Sequence, residues 1–228
     1  MDNSTNKKLL DLIFPRRCLG CQKINQILCE RCLQSIPVFS SSPRHLVSNK
    51  NKCLDKLIVA SDWANPLLKN LIYDFKYNFV SEIGQILGGL LVRSLEPLTV
   101  CLKIKKPLLI PIPLHPLRLH WRGFNQAEIL ANIVGKKFDW PVINNLIIRK
   151  KHTRPQMTID NISNRYDNVS GIFSLKSSSG YKFSDLSKRT IFLVDDVCTT
   201  GATMEEAMTC VKKRALGCYI YGLVLARA

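Results

Sequence analysis

Apolar positions along this chain follow two rhythms. Short continuous runs, many with β-branched residues, occur at 57–60, 108–114, 191–194 and 218–226, and read as buried strands. Shorter strand-like pieces lie at 142–143, 146–148 and 171–175. Elsewhere apolar residues recur at helical spacing. Leu67, Leu68, Leu71, Ile72 and Phe75 follow Pro66, a second run covers 80–95, a third carries Ala127, Ile129, Leu130, Ile133 and Val134, and a fourth Met204, Ala207, Met208 and Val211. Gly84, Gly88 and Gly89 within the second run cost helix stability, which predicts close packing there. Leu9, Leu10, Ile13 and Phe14 predict a short N-terminal amphipathic helix ended by Pro15. Strand–loop–helix units at 106–138 and 190–212 predict an α/β fold with a parallel sheet. The polar stretch at 40–52 reads as a link, dividing residues 1–42 from a main domain at 53–228.

Cysteine placement adds a module to this outline. Cys18, Cys21, Cys29 and Cys32 form two close Cys-x-x-Cys knuckles, four thiolates suited to tetrahedral zinc. So small a unit has almost no core, and metal binding would supply most of its folding energy. Reduced, unmetallated thiols or a redox pair are the competing reading. Nine cysteines in total, an odd number without a signal sequence, argue against a disulfide framework. Cys53, Cys101, Cys210 and Cys218 read as reduced core residues, and Cys198 as a packing residue rather than a nucleophile.

Charge narrows the class of partner. Thirty-three Lys and Arg against 17 Asp and Glu leave a formal +16, clustered at 16–17, 103–106, 118–122, 149–154 and 212–214. A solvated basic surface is the plain explanation. Nucleic acid is the sharper one, because one small phosphate ligand does not need so much excess charge. No apolar run reaches the length of a membrane span and no signal-type segment opens the chain, so a cytoplasmic protein without membrane insertion is expected.

The most informative chemistry follows the strand at 191–194. Asp195 and Asp196 come at its carboxyl end, where ligands gather on open parallel sheets. Thr199, Thr200, Gly201, Ala202 and Thr203 then lead into a helix, and Thr203 with Glu206 has capping-box spacing, which places the helix start there. Free helix N–H groups and threonine hydroxyls make a cradle for one phosphate, and Gly201 lets the backbone approach it. Acceptor-only carboxylates beside that cradle suit sugar hydroxyls and a magnesium ion. The implied ligand is a ribose phosphate; the alternative is a pair of acids that merely cap the helix.

This stretch closely resembles the loop with which phosphoribosyltransferases bind phosphoribosyl pyrophosphate (PRPP). The resemblance implies that Asp195 and Asp196 hold the ribose hydroxyls, and that the turn through Thr199, Thr200, Gly201, Ala202 and Thr203 holds the 5′-phosphate. The run from Ile110 through Pro111, Pro113, His115, Arg118, Arg122, Gly123, Phe124 and Asn125 to Gln126 is similar to the signature of the ComF family, which includes GntX-type proteins and is associated with competence for DNA uptake. The four cysteines, the segment Thr153-Arg154-Pro155-Gln156, and Arg165, Asn168 and Phe173 match it too. A type I phosphoribosyltransferase-like parallel sheet flanked by helices, with a small N-terminal four-cysteine zinc module, is the fold this implies.

Phosphoribosyl transfer is mostly positioning, with magnesium and cationic side chains stabilising the departing pyrophosphate. Arg118, Arg122 and Arg154 are the candidates, since the guanidinium fork offers paired donors to phosphate; surface roles or nucleic-acid contacts are the alternative. Asp195, Asp196 and Arg122 form the candidate catalytic set. Lys76 either points at an anionic ligand or is a surface helix lysine. Asn125 and Gln126 are expected to fix their loop by hydrogen bonds, and His45, His115, His120 and His152 to be solvated or loop-packing. Trp121 beside Arg122 and Tyr166 beside Arg165 are compatible with base stacking and equally with ordinary packing. Two functions stay open: a ComF-type protein of natural transformation that handles single-stranded DNA, binds PRPP and admits a competence helicase as partner, or a PRPP- and magnesium-dependent phosphoribosyltransferase acting on an unidentified nucleophile. The competence resemblance favours the first.

Overall fold

The computed structural model describes residues 15–39, 46–47, 56–78, 81–102, 104–150, 171–176, 182–215 and 217–228. In chain order the elements are α1 (Glu30–Gln34), β1 (Leu46–Val47), β2 (Lys56–Val59), α2 (Pro66–Tyr77), α3 (Ser81–Cys101), β3 (Leu108–Pro111), α4 (Pro116–Arg122), α5 (Gln126–Phe138), β4 (Ile147–Arg149), β5 (Phe173–Leu175), β6 (Thr190–Cys198), α6 (Ala202–Lys212) and β7 (Tyr219–Arg227).

Five strands form one sheet in the order β1-β2-β7-β6-β3. The pairs β2–β7, β7–β6 and β6–β3 are parallel, and only β1, at the edge, is antiparallel. The interior strand β6, paired on both sides, is buried on both faces, as its unbroken apolar run requires. Ile191 and Leu193 enter one core with Met204, Met208 and Val211 of α6 and Ile147 and Phe173 of the β4–β5 ribbon. Phe192 and Val194 enter the other, with Leu68, Ile72 and Phe75 of α2, Leu87 and Leu91 of α3, and Leu130 and Val134 of α5. The chain is thus a parallel α/β sheet flanked by helices on one face and by α6 with a two-stranded ribbon on the other.

Close packing of the glycine-bearing helix is as the sequence implies at two positions. A Cβ on Gly88 would lie 2.7 Å from Ile133, and one on Gly84 2.9 Å from Ile129, so α3 and α5 meet backbone to side chain. Around Gly89 there is open space.

Several local expectations change. The capping box does not form: Gly201, at φ 89°, is the N-cap without a side-chain bond, and α6 starts at Ala202. Glu206 instead accepts the N–H of Gly171 at 2.7 Å, tying α6 to the residues just ahead of β5. β6 runs on through Asp195 and Asp196 to Cys198 because it pairs with β7 over that length. The basic stretch after β3, the loop of the 106–138 strand–loop–helix unit, is itself helical, with Pro116 at its first turn, His115 Nδ1 accepting the Leu117 N–H, and Gly123 at φ 78° ending it. Cys101 is exposed rather than in the core, while Cys210 and Cys218 are partly buried. The small four-cysteine unit also has more support than its size suggests. Ile36 is buried, and Leu19, Ile27, Leu28 and Leu33 pack on the core that α2 and α3 share. The 1–14 helix, Cys53, His45 and His152 lie outside the described residues.

Candidate functional site

The carboxyl end of β6 gathers charge. Asp195 Oδ1 accepts the N–H of Asp196 at 2.8 Å. Asp196, nearly buried, has Oδ1 2.8 Å from Nζ of Lys76, which the last turn of α2 brings across the sheet end. Burial first, and then the charge of Asp196, push the Asp195 carboxyl up to about 7, against the pull of the Asp196 N–H, Lys76 and Arg149.

Three arginines share this neighbourhood. Arg122, buried at the end of α4, donates from Nη1 to Gln126 Oε1 at 2.7 Å, and its guanidinium sits 5.3 Å from the ring centre of Tyr77. Burial lowers its pKa, the charge of Asp196 opposes that, and Arg118 reinforces it. Arg149, on β4, has its pKa lowered by burial and then by Arg118, while the charge of Asp195 opposes this; its guanidinium lies 5.9 Å from the ring of Phe173. Asn125 caps α5 through the Ala127 N–H and donates to Ile112 O at 3.1 Å, so it fixes the loop as expected.

Beside Asp195, the residues Cys198, Thr199, Gly201, Ala202 and Thr203 line an open crevice of about 40 Å³, more than a single water needs. Thr200 Oγ1 accepts the Ala202 N–H at 3.4 Å. Cys198 is buried, and burial followed by the charge of Asp195 pushes its thiol up to about 11, which suits packing and not nucleophilic attack.

In the N-terminal loops, which pack against α2 and α3, the Sγ atoms of Cys18, Cys21, Cys29 and Cys32 lie within 4.8 Å of one another. The Cys29 and Cys32 N–H groups point at Cys18 Sγ and Cys29 Sγ, each at 3.4 Å. Burial opposes ionisation of Cys18, but N–H groups of Cys21, Cys29 and Gly20 bring it down to about 6, while its neighbours, Cys29 first, force Cys32 up to about 12. Crowded thiols that cannot all ionise unaided are the donor set a thiophilic cation such as zinc would relieve.

Of the sequence candidates, Asp195, Asp196, Arg118, Arg122 and the 199–203 turn converge, whereas Arg154 lies outside the described residues, as do Arg165 and Tyr166. Arg149 is legible in the sequence only as one member of a basic run. Lys76 carries a clearer signal: it falls four residues after Ile72 and eight after Leu68, so it occupies the core-facing stripe of α2.

Residues 123–227 match the phosphoribosyl transferase domain model. Competence protein F of Haemophilus influenzae is 30% identical over 217 residues, covering 88% of this chain and 92% of that protein. The chain belongs to the ComF family. Another relative, DNA utilization protein YhgH of Shigella flexneri, is 28% identical over 197 residues, 83% of this chain and 79% of its own length. Competence protein ComFC of Bacillus subtilis is 30% identical over 121 residues, 53% of this chain and 45% of that protein. In this ComF chain the transferase-type domain match begins just after α4. Lys76, Tyr77 and Arg122 are therefore brought to the site by residues ahead of the matched segment.

Proposed function

We propose that this ComF chain acts in natural transformation, handling single-stranded DNA and binding PRPP or a related ribose phosphate at the end of β6. The observation that carries the reading is the carboxylate pair of Asp195 and Asp196, set between the crevice of the 199–203 turn and the cations Lys76, Arg118, Arg122 and Arg149. The carboxylates would take ribose hydroxyls, the turn the 5′-phosphate, and the cations the pyrophosphate. Magnesium arriving with the ligand would neutralise pyrophosphate charge. Without ligand, Lys76 supplies the positive charge that Asp196 needs. Residues 1–42 serve as an N-terminal helix and zinc module beside a phosphoribosyltransferase-like domain at 53–228, in the cytoplasm. No helix among the described residues is long and apolar enough to cross a membrane.

The relatives' names, competence protein and DNA utilization protein, support the nucleic-acid half, as does the excess of positive charge. Its test is anisotropy of a labelled single strand at two salt concentrations: affinity should fall steeply with salt. Absent or salt-independent binding would count against it. A second reading, a PRPP- and magnesium-dependent transferase with an unidentified nucleophile, is favoured by the cations facing an intact carboxylate pair. Pyrophosphate release on adding an acceptor would move the assignment there.

A further inference from the structure

Three aromatic side chains lie out in solvent beside the charged site. Tyr73 is 60% exposed, Tyr77 41% and Trp121 63%. They form an arc. The rings of Tyr73 and Tyr77, one helical turn apart on α2, are 4.7 Å between centres, and Tyr77 meets Trp121 of α4 edge-on at 6.1 Å. The arc reaches the carboxylates through their cations: Tyr77 follows Lys76, the partner of Asp196, and rests on the guanidinium of Arg122, which also feels the charge of Asp196.

Rings of this size cost solvation when left open. Their setting also selects an occupant. Arg122 lies behind Tyr77, and Arg118, one turn before Trp121 on α4, is only partly buried, so positive charge flanks the rings on the side of the ribose-phosphate crevice. Flat apolar faces beside cations are what an unpaired nucleobase with its attached phosphate requires. An apolar protein surface would gain nothing from the adjacent arginines.

We infer that Tyr73, Tyr77 and Trp121 are a stacking platform for unpaired bases of a single strand, next to the ribose-phosphate pocket. The inference rests on the single-strand reading and gives it a surface. Successive bases stack on the rings, Arg118 faces their phosphates, and the platform accepts any base because each has a π-face.

The experiment compares wild type with a Tyr73→Ala/Trp121→Ala double variant and with Trp121→Phe, using an oligothymidylate of about twelve nucleotides and an abasic strand of the same length. The full-length protein is used, and Trp fluorescence is read alongside anisotropy. Both altered side chains are largely exposed, so folding is preserved. Wild type should bind the oligothymidylate with quenching of Trp121. The double variant should bind it about 5- to 100-fold more weakly with an unchanged salt slope and unchanged PRPP binding, and Trp121→Phe should stay near wild type. The abasic strand should bind wild type at least as weakly as the double variant, which keeps Tyr77, binds the oligothymidylate. Equal affinity of wild type for both strands, or of the double variant and wild type for the oligothymidylate, overturns the platform but leaves the single-strand reading standing. A change in oligomeric state with no change in strand binding would assign the arc to a protein contact and also overturns it. No strand binding by wild type at low salt overturns both.

Discussion

Lys76 Nζ and Asp196 Oδ1, 2.8 Å apart, join the last turn of α2 to the carboxyl end of β6. Both side chains are mostly buried, so the pair is unlike a surface ion pair. Removing the lysine alone leaves a shielded carboxylate without its counter-charge. Lys76→Met is expected to cost about 1–3 kcal/mol in urea denaturation at pH 8. Adding Asp196→Asn should recover part of that loss, a coupling that a double-mutant cycle reads directly.

Asp195 gives a pH signature. Its folded-state pKa is raised to about 7 from an ordinary carboxyl value, so the folded chain binds the proton more tightly than the unfolded one. Its contribution to stability is fully present at acid pH and is lost as pH rises through about 7. Asp195→Asn should therefore melt at a higher temperature than wild type at pH 8. The difference should vanish below the ordinary carboxyl pKa, near pH 4. Thermal denaturation across that range checks both the sign and the window.

The neighbouring glycines of α3 should respond in opposite directions. Gly88→Ala would press a methyl against Ile133, whose Cβ lies 2.9 Å from the new atom and cannot swing away, so an overpacking cost of about 1–3 kcal/mol is expected. Gly89→Ala meets nothing within 4 Å and should stabilise by about 0.5–1 kcal/mol through helix propensity. Chemical denaturation of both variants tests how closely α3 and α5 meet.

Close to one equivalent of zinc per chain is expected at the four cysteines, measured by metal analysis of protein prepared without chelators. Cys21→Ser should lower that occupancy and the melting temperature together, because Leu19, Ile27 and Leu33 are held against the main core by the same loops.

Features carried by contiguous residues are legible in the amino-acid sequence alone. The run from Thr190 to Thr203 shows a strand, its terminal acids and a phosphate-type turn, and the spacing of Cys18, Cys21, Cys29 and Cys32 shows a metal-type cluster. Residues that reach the site from distant parts of the chain are harder to find. Arg149 resembles any member of a basic run because the β4–β5 ribbon that aims it is assembled from strands of three residues each. The Thr203–Glu206 spacing misleads because Gly201 starts the helix earlier, and Glu206 has a tertiary partner in the Gly171 N–H that no local pattern reveals. Trp121 stands out as a stacking candidate from its own basic segment, but its neighbours Tyr73 and Tyr77 come from a helix more than forty positions earlier in the chain.

The most direct measurement is calorimetric titration of PRPP with magnesium into wild type and into Asp195→Asn/Asp196→Asn at pH 8, with single-strand affinity measured on the same samples. Saturable PRPP binding by wild type, lost in the variant while most strand affinity is retained, is the predicted result. No PRPP binding by wild type, or undiminished binding by the variant, would contradict a ribose phosphate held at the end of β6.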